Sequence, residues 1–204
     1  MGGPGGRAAR VPFVGLTGGI GSGKSTALAA LERLGAATLS SDEVVHDLYG
    51  SDELRDAVVE RWGPETAPGG SVDRPAVARR AFASEDERRW LEQLLWPRVA
   101  ARIAAWREEQ VAQVPPPTAV VVEVPLLFES GMEGLFDTTI AVVADEGVRA
   151  ARAAERGHHA VDERTTRQLP QDEKTERADH SVRNDASVEA LEEELSHVLD
   201  ELRS

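Results

Sequence analysis

The 204-residue sequence has no cysteine, which makes disulfides impossible and excludes thiolate metal sites. It also lacks any apolar run near the roughly 18 to 20 residues needed to span a bilayer, and its N-terminus lacks the apolar core of a signal peptide. Basic residues are in the minority, 23 Lys and Arg against 36 Asp and Glu, for a formal net charge of -13. That balance argues against a nucleic-acid backbone or an anionic membrane as the main partner. A phosphorylated ligand must therefore be held by local arginines working against the global field. No internal repeat is visible, and no N-K-x-D or L-S-G-G-Q segment marks a guanine-nucleotide switch or a transporter ATPase. These absences read together as a cytoplasmic protein.

What is present fits a globular chain: 41% apolar residues over a length suited to one domain with insertions. Residues 1–10, MGGPGGRAAR, read as a flexible leader. Residues 11–17 carry no charge and form a first strand buried on both faces of a parallel sheet. A helix from Lys24 to about Leu34 stops at Gly35, and 36–39 is a second short strand. Ser40 with Glu43 matches a capping box opening a helix to Tyr49. Residues 51–113 are helical and charge-rich, broken by turn chemistry at 63–71. Ser84 with Glu87 starts a long helix that Pro97 should kink or interrupt, and Trp90, Trp96 and Trp106 on it are packing anchors or substrate contacts. TAVVVEV, 118–124, is the most β-branched stretch and reads as a central strand. Strands at 138–143 and 180–183 and a helix at 188–202 complete an alternating pattern, hence a parallel α/β sheet with helices around it.

The chemistry begins at GLTGGIGSGKST, 15–26. Gly18, Gly23, Lys24 and Ser25 match G-x-x-x-x-G-K-[ST], in the strand, loop, helix context that this phosphate-binding motif requires. Glycines let the main chain close around an anion, so the N–H groups from Gly19 through Ile20, Gly21, Ser22 and Gly23 to Lys24 can converge on phosphate. The helix beginning at Lys24, Ser25 and Thr26 adds the positive end of its dipole. Lys24 would reach the β- and γ-phosphates of ATP, and the Ser25 hydroxyl would ligate the accompanying magnesium.

Asp42 follows the second strand, where a carboxylate could deprotonate an attacking hydroxyl or simply serve the helix dipole. Glu123 ends the apolar strand, suited to the metal shell or substrate, or satisfied as a strand-end carboxylate. Arg152 and Arg156, one helical turn apart beside Arg149, could close over a nucleotide or form surface ion pairs. His158 and His159 have no further ligand pattern, so they read as solvated loop.

Six blocks in order, LTGGIGSGKST, SDEVVHDL, VDRPAVARRAF, LEQLLWPRV, VVVEVPLLFESG and RQLPQDEKTERADHSVRN, cover nearly the whole chain after residue 10 and resemble dephospho-CoA kinase. PLLFESG and the Gln168 to Lys174 spacing are its more specific parts. The resemblance implies a P-loop kinase core with a five-stranded parallel sheet, a helical CoA-binding insertion at about 51–113 and a lid at about 146–178. It implies ATP-dependent phosphorylation of the ribose 3′-hydroxyl of dephospho-CoA with magnesium, by a monomer or weak homo-oligomer. Asp42 corresponds to the family's catalytic aspartate, with Lys24, Arg152 and Arg156 neutralising charge. The substrate side falls to Asp42, His46, Asp73, Arg74, Glu123, Leu126, Leu127, Phe128 and Glu129. This chain departs from the family pattern at Ser40 and Ser41, which stand where D-A-D is common, at Trp96 before Pro97, at Glu123 in place of aspartate and at Gly157 after the lid arginine.

Overall fold

The computed structural model describes residues 10–155 and 168–204. The 1–9 part of the expected leader, Arg156, Gly157, His158 and His159 lie outside the described residues. Those that are described fall into two compact units: the residues up to Leu39 together with Arg107–Ser204, and Ser40–Trp106.

The first unit is built on a five-stranded sheet of β1 (Phe13–Gly18), β2 (Ala37–Ser40), β3 (Val120–Glu123), β4 (Thr138–Val143) and β5 (His180–Arg183), in the order β2-β3-β1-β4-β5. β1 runs parallel to both neighbours, with Val14 opposite Val121 and Thr138. β5 continues in parallel from β4, with Ile140 opposite His180. Every residue of β1 and β4 is buried, which is why neither strand alternates polar and apolar residues. TAVVVEV supplies β3, an interior strand of the sheet as expected, with β1 at the centre. β-branched content marks burial on two faces, a property β3 shares with its neighbours, so it does not rank them.

Helices α1 (Lys24–Arg33) and α8 (Val188–Leu202) share one apolar cluster with the sheet. Leu31 from α1, Leu191 and Leu195 from α8, and Val14, Leu16 and Ile140 from the strands are all fully buried there. Each such side chain contributes about 1.5 to 3 kcal/mol by leaving water. α1 ends as predicted at Gly35, whose N–H donates to Glu32 O at 2.9 Å while Ala36 N–H donates to Leu31 O at 3.0 Å. This pair of bonds needs a left-handed residue, and Gly35 has φ +84°. Ser187 caps α8 by accepting from Ala190 N–H.

The second unit contains α2 (Ser41–Leu48), α3 (Asp52–Trp62), α4 (Arg74–Ala81) and α5 (Glu85–Val111) up to Trp106. Leu95, Val99 and Ile103 recur at four-residue steps as the buried stripe of α5. α3 and α5 are joined by Glu87, which accepts from Trp62 Nε1 at 2.6 Å and from both Nε and an Nη of Arg61. Trp90 meets Trp62 edge-on at 4.8 Å, so Trp90 is a packing anchor. The pairing with Arg61 and Trp62 holds the Glu87 carboxyl below the usual range.

Three local expectations change. Ser40 is the N-cap of α2 but its hydroxyl makes no capping bond, so the Ser40–Glu43 box does not form. Ser84 accepts from Glu87 N–H at 3.2 Å, yet Glu87 does not reciprocate because its carboxylate is committed to Arg61 and Trp62. Pro97 lies within α5 without ending it, so of the expected kink or interruption the interruption does not occur. Proline removes a single i→i−4 bond, the buried Leu95 and Val99 hold the flanking turns, and the Arg98 guanidinium donates to the nearby Leu94 O at 2.6 Å. α2 groups with the helical unit, where His46 meets Arg74 of α4. The last turn of α5 groups with the sheet, because Arg107 lies over the Phe13 ring at 4.5 Å and pairs with Asp137 at 3.5 Å.

Candidate active site

The phosphate loop occupies the turn between β1 and α1, and its carbonyls are engaged by side-chain donors. Lys24 Nζ donates to Gly18 O at 3.1 Å and Gly19 O at 3.3 Å. Arg149 Nε, from α6 (Glu146–Glu155), donates to Ile20 O at 3.1 Å. Asn184 Nδ2, just past β5, donates to Ser22 O at 2.9 Å. Carbonyls tied to these donors are kept from facing an anion, which leaves the loop N–H groups available to one. Gly23, at φ +90°, has no room for a side chain, because a Cβ there would overlap Asn184 Nδ2. Ser22 is fully buried and its Oγ has no hydrogen-bond partner among the described residues.

The Lys24 ammonium is 4.0 Å from Glu123 Oε1 at the end of β3. Of the remaining loop residues, Ser25 is exposed and Thr26 half-buried in the first turn of α1. Arg152 donates through Nη1 to Asn184 O at 2.9 Å. It does not pair with Asp145, which is instead bonded by Arg183 at 2.8 Å. Arg149 and Arg152 thus both reach the loop or its immediate support. A cavity of about 500 Å³ opens beside Gly19 and Ile20, lined further by Glu146, Arg149 and Gln168–Asp172.

Past β3, Leu127 is fully buried and Phe128 nearly so, with the Arg177 guanidinium 4.8 Å over the Phe128 ring. Both side chains pack in the first unit, while Leu126 is half-buried. Glu129 accepts from Leu169 N–H at 2.7 Å and pairs with Lys174 at 2.9 Å. Lys174 lies on α7 (Gln171–Arg177), is fully buried, and also donates to Pro125 O at 2.6 Å. Burial pulls its pKa below that of an ordinary lysine, against the opposing effect of Glu129. At the start of α7, Gln171 pairs its amide with both backbone groups of Ala144, at 3.1 and 3.0 Å, pinning α7 to the end of β4.

In the second unit Asp42 is exposed in the first turn of α2. His46 Nδ1 and Arg74 Nη1 are 2.7 Å apart, and the Arg74 guanidinium lies 5.2 Å over the Tyr49 ring. The three residues help line a pocket of about 230 Å³. Asp73 is the N-cap of α4, its carboxylate accepting from Ala76 N–H at 3.1 Å, so it orients Arg74 by starting the helix that carries it.

Asn184 and Gln171 were not singled out by sequence reasoning. For Asn184 the signal was positional: it follows the last residue of a parallel strand, at the sheet edge where such folds bind ligands. Gln171 gave no signal, since its partner is a backbone group distant in sequence.

Residues 12–190 match the family model for dephospho-CoA kinase. The chain belongs to the dephospho-CoA kinase family. Among curated dephospho-CoA kinases it is 38% identical to that of Symbiobacterium thermophilum over 87% of this chain and 75% of the relative. It is 35% identical to that of Thermus thermophilus, over 97% and 95% of the two chains. A crystal structure from Thermus thermophilus, 34% identical, superposes with a TM-score of 0.77 over 96% of this chain and all of that one. The dephospho-CoA kinase of Campylobacter jejuni, 22% identical with a TM-score of 0.60 over 93% and 96%, shares the fold. Within the family's core the phosphate loop, Glu123 and Asn184 of this chain lie at the ends of β1, β3 and β5.

Proposed function

We propose that this chain transfers the γ-phosphate of ATP to the ribose 3′-hydroxyl of dephospho-CoA, giving CoA and ADP, the last step of coenzyme A biosynthesis. The observation that carries this reading is the family match over residues 12–190 on a chain whose phosphate loop is assembled around Lys24. In the transfer, the 3′-oxygen forms a bond to the γ-phosphorus as the bond to the β,γ-bridging oxygen breaks, and ADP leaves. Asp42 takes the hydroxyl proton as general base. Lys24, Arg152 and Arg156 neutralise charge on the transferring group, and Gly18 through Thr26 hold the nucleotide phosphates.

No group of three or more His, Cys, Asp or Glu side chains among the described residues could hold a metal ion alone. The oxygen donors near the loop, the Ser25 hydroxyl and the Glu123 carboxylate, suit magnesium held jointly with nucleotide phosphates. Bound there, magnesium would screen the phosphate charges.

For the acceptor, His46 and Arg74 supply polar contacts, with Asp73 holding Arg74 in place. Glu123, Leu126, Leu127, Phe128 and Glu129 are the other residues assigned to acceptor binding. Residues 51–113 act as the CoA-binding insertion and 146–178 as the lid. The enzyme works in the cytoplasm as a monomer or weak homo-oligomer; no described helix is long and apolar enough to cross a membrane.

The test is CoA formation from dephospho-CoA, ATP and magnesium, run beside Lys24→Ala and Asp42→Ala. Asp42→Ala should lose about 10²- to 10⁴-fold in turnover, as expected for a general base. A parental rate in Asp42→Ala refutes the base assignment, and no CoA formation by the parent refutes the acceptor.

A further inference from the structure

Lys174 is the largest fully buried side chain of the described residues. Its ammonium joins three stretches distant in sequence: Thr17 Oγ1 at the end of β1 at 3.4 Å, Pro125 O after β3 at 2.6 Å, and Glu129 Oε1 at 2.9 Å. The same Glu129 oxygen accepts from Leu169 N–H. Thr17 immediately precedes Gly18, where the phosphate loop starts, and Leu169 lies in the Gln168–Asp172 wall of the cavity beside Gly19 and Ile20. One ammonium and one carboxylate therefore bond both to the strand that launches the loop and to the wall facing it.

Stability alone does not account for the arrangement. Taking two charges out of water costs more than a well-packed apolar pair of the same volume, unless every remaining lone pair is satisfied. Here Glu129 Oε2 is buried with no hydrogen-bond partner among the described residues. What the pair supplies that apolar side chains cannot is direction: each bond fixes a backbone group at hydrogen-bond distance from a single centre.

We propose that the buried Lys174–Glu129 pair is a positioning device for phosphate transfer, holding the Leu169–Gln171 wall in register with the mouth of the phosphate loop. This inference rests on the phosphotransfer reading above. Lys174 touches no reacting atom; it acts by placing the wall against which the transferring group is aligned.

The experiment compares the parent with Lys174→Met, Glu129→Gln and the double variant Lys174→Met/Glu129→Leu, measuring Tm, kcat and KM for ATP with dephospho-CoA as acceptor. Lys174→Met leaves a buried carboxylate unpaired and lowers both Tm and kcat, the latter roughly 10- to 100-fold, the scale of a misplacement of about 1 Å. The double variant removes both charges, so Tm returns to the parental value or above while kcat stays depressed. Glu129→Gln, which keeps an oxygen acceptor for Lys174 and Leu169, loses less kcat than the double variant does. If the double variant regains Tm and kcat together, the pair is a packing element and the proposal fails. It also fails if Lys174→Met keeps parental kcat, or if none of the variants folds, since the pair then serves stability alone. A parent that makes no CoA sinks the acceptor reading instead, a result separable from all of these.

Discussion

Replacing Gly23 by alanine tests how the phosphate loop is held. Gly23 is in the left-handed region at φ +90°, ψ 33°, where an L-residue costs about 1 to 2 kcal/mol. The added Cβ would also overlap Asn184 Nδ2. Asn184 is 3% exposed and cannot swing away, since its backbone N–H donates to Val143 O at 2.8 Å and its side chain to Ser22 O. Overpacking of this kind costs about 1 to 3 kcal/mol, so the two effects together come to roughly 2 to 5 kcal/mol. For a chain of this size each kcal/mol moves Tm by about 2 to 4 °C. Gly23→Ala should therefore melt on the order of 10 °C below the parent and lose nucleotide affinity. The decisive assay is a thermal-melt cycle with Asn184→Ala. Removing the amide clears space for the new methyl group, so the double variant should lose clearly less than the sum of the single losses. Full additivity would show that the overlap is not the cause, and a Gly23→Ala melt within a degree of the parent would refute the whole account.

Other outcomes can be read from single variants. Arg149→Ala frees Ile20 O and removes a cation beside the loop, so kcat/KM for ATP should fall roughly 10- to 100-fold; parental kinetics would remove Arg149 from the site. Leu195→Ala empties a fully buried position where α8 packs in the main cluster and should cost about 2 to 5 kcal/mol in denaturant unfolding, with little effect on the KM values. Asp179 provides a pH test. Partial burial raises its pKa, but hydrogen bonds from the Thr139 hydroxyl and amide and the Thr138 hydroxyl outweigh this and leave it lowered. A carboxyl with a depressed folded-state pKa contributes stability that is full above its unfolded value and is lost as pH falls through the folded one. Asp179→Asn should therefore lower Tm near neutral pH and flatten its fall on acidification. A constant offset between the two proteins from neutrality down to pH ~3 would contradict the reasoning.

Legibility in the sequence followed the range of the interactions. The phosphate loop, the stop at Gly35 and the spans of β4, β5 and α8 depend on neighbours a few residues away, and the structure places them where the local pattern does. Capping was partly legible. Ser84 caps α5 and Ser51, unremarked in the sequence, caps α3, whereas Ser40 begins α2 without a side-chain bond. A serine's sequence context shows that a cap is available, but the rotamer that makes the bond depends on surrounding packing. Pro97 shows the same limit, since the tertiary burial of Leu95 and Val99 overrides a local helix-breaking preference.

Sequence alone determined the kind of chemistry. Gly18 to Thr26 match a phosphate-binding motif because the glycines, lysine and hydroxyls of that run are contiguous, and contiguous residues meet whatever the remainder of the chain does. Only the tertiary structure decided how the cradle is held: Asn184 on Ser22, Arg149 on Ile20, and Lys174 between Thr17, Pro125 and Glu129. Lys174 and Glu129 could be noticed in the sequence as members of separate motifs. Their union in one buried pair required the parallel sheet to bring the ends of β1 and β3 side by side beneath α7, because hydrogen bonds select partners by distance in space.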